Sequence, residues 1–250
     1  MPVFQGELVV KGELRLSQEF ECEGYRFSPA SEGFNLVFEV EATSPEDARS
    51  RLTARAELLL DSLTFVKGPS LRYSLVRMTQ KPTADGGALG GQLLTHEAFM
   101  GLSMILVATT NQDGINPALE MARQVSNHPK SELLTRVLRW YSRGVSDSDN
   151  VDRFVDFWVA LEALADSYEG EDIQPHICQC GRLINLRPIN GVMRAYLKSL
   201  GMKEDAELVS TISSARGDLF HRALTPDALK HIPDVQRILK ICIQKEIDAT

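Results

Sequence analysis

Nowhere does the 250-residue sequence hold an apolar run approaching the roughly 20 residues that cross a bilayer; the longest, FMGLSMILVA, is far too short. The amino terminus, MPVFQGELVVKGELRL, lacks the basic stretch followed by an apolar block that marks a secretory leader. Both absences predict a cytoplasmic protein with no membrane contact. Cysteine is sparse, with only Cys22, Cys178, Cys180 and Cys242, and a chain this large and apolar needs no disulfide staples, so free thiols are expected. Basic excess is missing too. With 27 Lys and Arg against 34 Asp and Glu the net charge is −7, which argues against a wide phosphate-binding surface and restricts any nucleic-acid contact to a local patch. There is no G-x-G-x-x-G, no Walker lysine, no serine-nucleophile motif, no internal repeat and no low-complexity tract.

What is present divides in two. From Pro2 to about Gln80 the pattern keeps a period of two: ELVVKGELRL and FNLVFEVEA alternate apolar and polar residues as half-buried strands do, and SLRYSLVRMT continues the series. Between them SPEDARSRLTARAELLLDSL reads as a helix, with Ser44 as N-cap, Pro45 at the first helical position, Asp47 as the capping-box partner, and Leu52, Ala56, Leu59 and Leu60 on one face. KPTADGGALGG, residues 81–91, breaks both periods and reads as a linker. Beyond it THEAFMGLSMILVATT, NPALEMARQVSN, KSELLTRVLRWYSRG, NVDRFVDFWVALEALADSY, INGVMRAYLKSLG, KEDAELVSTISSARGDLFHRAL and TPDALKHIPDVQRILKICIQKEI all carry helical spacing. The expected fold is therefore α+β: a small β-rich domain with one helix over 1–80, a linker over 81–91, and an all-α bundle over 92–250. Charge does not separate the parts, since residues 1–91 sum to −3 and residues 92–250 to −4.

Phe154, Phe157, Trp158, Leu161, Leu164, Ala165 and Tyr168 form one helical stripe, the expected centre of the bundle and not a cofactor box. Glu162 borders that stripe. If partly buried it needs a cationic or donor partner, for which Arg216 is the candidate; a surface glutamate is the plainer alternative. His176, Cys178 and Cys180 cluster between two helices and hold zinc-type donors, but C-x-C is less common than C-x2-C in structural sites, and a fourth ligand would have to come from Cys22, Cys242 or another chain. No metal or cofactor is assigned. Arg182, Arg187, Arg194 and Lys198 follow this loop and fit either a phosphate groove or a solvated helix face.

The sharpest pattern is ISSARGDLFHRAL, residues 212–224, which sets Arg216 and His221 five positions apart. At 100° per residue the two lie about 140° apart, so they share a site only if Gly217 loosens the turn or a second copy of the chain brings its own pair across. An imidazole that titrates near neutrality moves protons, and a guanidinium holds phosphate through paired donors. On RNA, where a 2′-hydroxyl attacks the neighbouring phosphate, that pair suffices.

The order of FVDFWVALEAL, a variable loop, a further helix, and R-x4-H just before the last helix resembles the HEPN superfamily, in particular its Apea-like branch, over about residues 92–250. The resemblance implies a helical bundle that pairs head to head as a homodimer. It also implies a metal-independent endoribonuclease whose motifs from two protomers form one cleft. Carried onto this sequence, Arg216 binds the scissile phosphate, His221 is the general acid or base, and Asp218 is an accessory polar residue. Many active members hold a polar residue directly after the arginine; here Gly217 stands there and Asp218 follows. Two readings stay open. In the first the bundle binds and cleaves RNA while the amino-terminal domain recognises a trigger or another protein. In the second it is a catalytically silent helical module that holds a protein or small ligand on the same dimer surface, and Asp218 and Arg222 are a plain i, i+4 surface pair.

Overall fold

The alternation of ELVVKGELRL becomes β1, Val3–Gly12, in which Phe4, Gly6, Leu8 and Val10 point inward and their neighbours are half-exposed. A computed structural model describes residues 1–82, 92–93, 108–169, 176–177, 183–184, 189–222 and 226–249. The first unit, Met1–Arg123, is built on β1, which lies between β5 (Gly33–Glu41) and β6 (Leu71–Gln80), antiparallel to both. Adding β3 (Phe20–Cys22), β4 (Tyr25–Ala30) and the two-residue β7 (Gln92–Leu93) gives the strand order β3-β4-β5-β1-β6-β7. Leu8 pairs with Leu36 on β5, and a bulge between Glu7 and Leu8 shifts the register against β6.

One face of this sheet is covered by α1, Pro45–Lys67, which starts as its capping signals require. Ser44 Oγ accepts from the Asp47 amide at 3.1 Å, and Asp47 Oδ2 accepts from the Thr43 amide at 2.9 Å. Gly68 ends the helix with φ of 82°, a left-handed conformation that glycine adopts without strain, and its N–H reaches the Thr64 carbonyl at 2.8 Å. Ala48, Leu52, Ala56, Leu59 and Leu63 are fully buried against Leu8, Phe27, Phe34, Leu36 and Phe38. Each such Leu or Phe contributes about 1.5–3 kcal/mol relative to exposure. Gly6 sets how closely helix and strand approach: a Cβ there would stand 2.8 Å from Leu52 Cδ2.

The first unit extends beyond the residue range 1–80 read from sequence. Ala108–Thr110, at the end of the expected helix THEAFMGLSMILVATT, form the strand β8, parallel to β2 (Leu14–Leu16). Gln92 and Leu93, expected in the bundle, pair with Met78 and Arg77. At Ala108–Thr110 strand pairing overrides the local helical spacing. Residues 83–91 of the expected linker and the remainder of that expected helix lie outside the described residues. The units divide inside α2, Gln112–Asn127, whose Ile115, Ala118 and Leu119 belong to the core of the first.

The second unit, Gln124–Thr250, is helical: α3 (Ser131–Ser146), α4 (Asn150–Asp166), α5 (Ile189–Ser199), α6 (Lys203–Arg222), α7 (Pro226–Leu229) and α8 (Ile232–Asp248). The two-residue strands β9 (His176–Ile177) and β10 (Leu183–Ile184) pair between α4 and α5. The final sequence segment, read as one helix, is two, because Pro233 lacks an amide donor and sits in the first turn of α8. Asp149 caps α4 by accepting from the Val151 amide at 2.7 Å. α4 lies at the centre, against α3, α5, α7 and α8, with Phe154, Phe157, Trp158, Leu161, Leu164 and Ala165 buried. Phe154 stacks on Trp158 at a centroid separation of 6.1 Å, and Tyr141 of α3 meets Phe157 at 5.6 Å. Gly144 permits the α3–α4 approach, since a Cβ there would lie 2.6 Å from the Phe157 ring.

One charged group is sealed into this packing. Asp156 is 3% exposed, its Oδ2 has no hydrogen-bond partner among the described residues, and Arg143 Nη2 stands 3.7 Å from Oδ1. Burial raises its pKa, against the opposing pull of Arg143 and with help from Asp147 and Asp152. A carboxyl whose folded pKa is raised stabilises the fold below its unfolded value, and that contribution is lost as pH rises through the folded value. Asp156→Asn should therefore gain stability relative to the parent as pH rises from the acid range to neutrality, a trend read from urea midpoints across pH; a difference between the two proteins that does not change with pH would refute it.

Candidate functional site

The R-x4-H segment lies wholly within α6, which runs unbroken from Lys203 to Arg222. Ala206, Val209, Ile212, Ala215 and Leu219 are its buried side. Gly217 does not interrupt the helix, and a Cβ at that position would meet nothing within 4 Å. Loosening of the turn is thereby removed as a way of joining Arg216 to His221. On a continuous helix the two positions are about 140° apart around the axis and about 7.5 Å apart along it.

Arg216 stands at the margin of the buried side. Its Nη2 lies 3.6 Å from Oε1 of Glu162 on α4, with the side chains 34% and 23% exposed. The same Glu162 oxygen accepts a hydrogen bond from Trp158 Nε1 at 2.5 Å, one helical turn earlier on α4. Trp158 is almost completely buried, so the chain of contacts runs from the core of the bundle through a half-buried carboxylate to a guanidinium that reaches solvent. The expected Glu162–Arg216 partnership is present. What the sequence reading missed is the indole N–H: Trp158 was assigned to packing alone, although its i, i+4 spacing to Glu162 carried the signal.

Asp218 is half-buried on α6. His221 is fixed only as a position near the end of α6, and its side chain, with that of Arg222, lies outside the described residues, as do Cys178, Cys180, Arg182 and Arg187. His176 is placed only by its strand, where it pairs with Ile184. Among the described residues no three His, Cys, Asp or Glu side chains converge in a way that could hold a metal ion. Arg194 and Lys198 do not form a free phosphate groove, because both turn to Glu207 Oε1, at 2.8 and 3.9 Å. Cys242 is fully buried and burial pushes its thiol up to about 12, the opposite of an activated nucleophile.

The first unit has an open groove of about 550 Å³ beside Cys22, Tyr25, Phe38 and Arg55. Most of its basic groups are engaged within it: Lys81 pairs with Glu39, Arg26 Nε with Glu21 at 2.5 Å, and Arg55 donates from Nε to the Tyr25 hydroxyl at 2.7 Å while its guanidinium lies 4.5 Å from the Tyr25 ring centre. No family model, curated protein or solved structure matches the chain. Among the described residues no helix is long and apolar enough to cross a membrane.

Proposed function

We propose that the helical unit is a HEPN-type RNA-binding module that cleaves RNA in a composite cleft formed by two copies of the chain. The observation that carries this reading is the placement of Arg216: a guanidinium held toward solvent by a Glu162 carboxylate that is itself fixed by Trp158. At 3.6 Å the ion pair is longer than a hydrogen bond, and a third of the arginine stays accessible to an incoming phosphate.

In the proposed reaction the RNA 2′-oxygen forms a bond to the adjacent phosphorus as the bond from phosphorus to the 5′-oxygen breaks, giving a 2′,3′-cyclic phosphate and a 5′-hydroxyl. One His221 imidazole removes the 2′ proton, water protonates the leaving 5′-oxygen, and Arg216 offsets the charge that develops on the phosphoryl oxygens. Purified protein should therefore cut RNA in the presence of EDTA, leave the all-deoxy strand of the same sequence intact, and lose about 10²- to 10⁴-fold in rate on His221→Ala. Rates from end-labelled oligonucleotides test this, and failure to cut any RNA would remove the enzymatic reading. A silent interaction module is then the alternative, favoured by one observation: Glu162 already neutralises part of the Arg216 charge.

A further inference from the structure

The solvent face of α3 carries a pattern that the R-x4-H reading does not use. Arg136, Arg139, Trp140 and Arg143 occupy positions i, i+3, i+4 and i+7, which on a helix fall within an arc of about 100° and span roughly 10 Å along the axis. Leu134, Val137, Leu138, Tyr141 and Gly144 take up the opposite side and are buried. The three arginines are exposed and Trp140 is half-exposed between them. The guanidinium carbon of Arg143 lies 4.5 Å from the Trp140 ring centre, so a flat cation and an indole already form a stack at the surface. Glu132 bounds the stripe at its amino-terminal end, and Asp156 approaches Arg143 at 3.7 Å at the other. In a chain of net charge −7 this is a local positive strip with an aromatic in its middle.

We propose that this face of α3 binds single-stranded RNA, the arginines following the sugar-phosphate chain and the Trp140–Arg143 stack receiving an unpaired base. Guanidiniums match phosphate oxygens through paired donors, and a solvent-facing indole provides a platform that any base fits. A duplex keeps its bases stacked on one another, and an acidic peptide has none to offer. The inference rests on the RNA reading above but assigns the capture of the strand to α3, apart from the cleavage assigned to α6.

The chain has two tryptophans, and Trp158 is buried, so fluorescence quenching reports on Trp140. The probe is a 2′-O-methyl oligouridine, whose blocked 2′-oxygen prevents cleavage. It should quench the intact protein saturably. The duplex of equal length and polyglutamate at equal charge should not. Trp140→Phe should abolish the quenching, and Trp140→Ala should weaken binding of a labelled probe by roughly five- to 150-fold. Replacing the three arginines by glutamine should lower the slope of log affinity against log salt by up to about 2, at roughly 0.7 per phosphate contact. Quenching that survives Trp140→Phe, a salt slope unchanged by the triple replacement, or equal binding of polyglutamate overturns the proposal. If the α3 variants bind normally while Arg216→Ala weakens binding, the α3 assignment fails and the α6 reading stands. If the α3 variants lose binding while Arg216→Ala and His221→Ala leave RNA cleavage unaltered, the α6 reading fails and this one stands.

Discussion

Replacing Trp158 by alanine should cost the helical unit about 3–5 kcal/mol, the range for deleting a fully buried large aromatic. The ring fills the centre of the bundle: it stacks on Phe154, and the helix that carries it packs against four others. A void there leaves its neighbours without dispersion partners on one side. The emission of Trp140, on α3 of the same unit, follows the unfolding of that unit in urea even though the chain has two compact parts. A midpoint lowered at unchanged steepness is the expected result. Trp158→Phe separates packing from polarity. It keeps most of the volume but removes the N–H that reaches Glu162, leaving a carboxylate that is only 23% exposed with one donor fewer. Its stability loss should fall near the low end of the roughly 1–3 kcal/mol for an orphaned buried polar group, because water reaches the carboxylate. Its RNA cleavage rate should drop with that of Arg216→Ala, since both changes free the guanidinium from a fixed orientation or remove it. A loss below about 1 kcal/mol for the alanine variant would contradict the central role of α4.

The parts of this architecture visible in the sequence are those in which the deciding interactions are local. Leu8 and Val10 face inward because a strand alternates, and Ser44, Pro45 and Asp47 start α1 because an exposed first turn needs these acceptors and this φ. The stripe of α4 follows from helical period alone. β8 was not visible: its three residues find their partners in Leu14–Leu16, more than ninety positions earlier, and such a pairing leaves no mark on the local pattern. The site is divided along the same line. Glu162 and Arg216 could be matched by charge before their distance was known, because a half-buried carboxylate restricts the choice of partner. The α3 stripe lay in plain sight at i, i+3, i+4 and i+7, yet its meaning depends on which face Leu134, Leu138 and Tyr141 bury. Arg194 and Lys198 show the converse, since a row of cations in sequence became an internal pairing with Glu207 once α5 and α6 packed.

Mixing two inactive variants, Arg216→Ala and His221→Ala, should restore RNA cleavage. Within one protomer the continuous helix holds the two positions about 140° apart, so neither variant contains a complete site by itself. A twofold assembly gathers both copies of the motif into one cleft. A dimer with one subunit of each kind then keeps a guanidinium from the His221→Ala chain and an imidazole from the Arg216→Ala chain, facing the same phosphate. Each homodimer should be depressed by at least about 10²-fold, the usual cost of losing a general acid–base or a charge-stabilising donor. After the two proteins are unfolded and refolded together, the mixture should cut faster than either parent handled in the same way, and dilution below the dimer dissociation range should abolish the recovered activity. The deoxy strand supplies the control, because without a 2′-hydroxyl no arrangement of these residues can cut it. Recovery that is absent in verified mixed dimers would mean that Arg216 and His221 do not serve one cleft, and α6 would retain Arg216 only as the partner of Glu162.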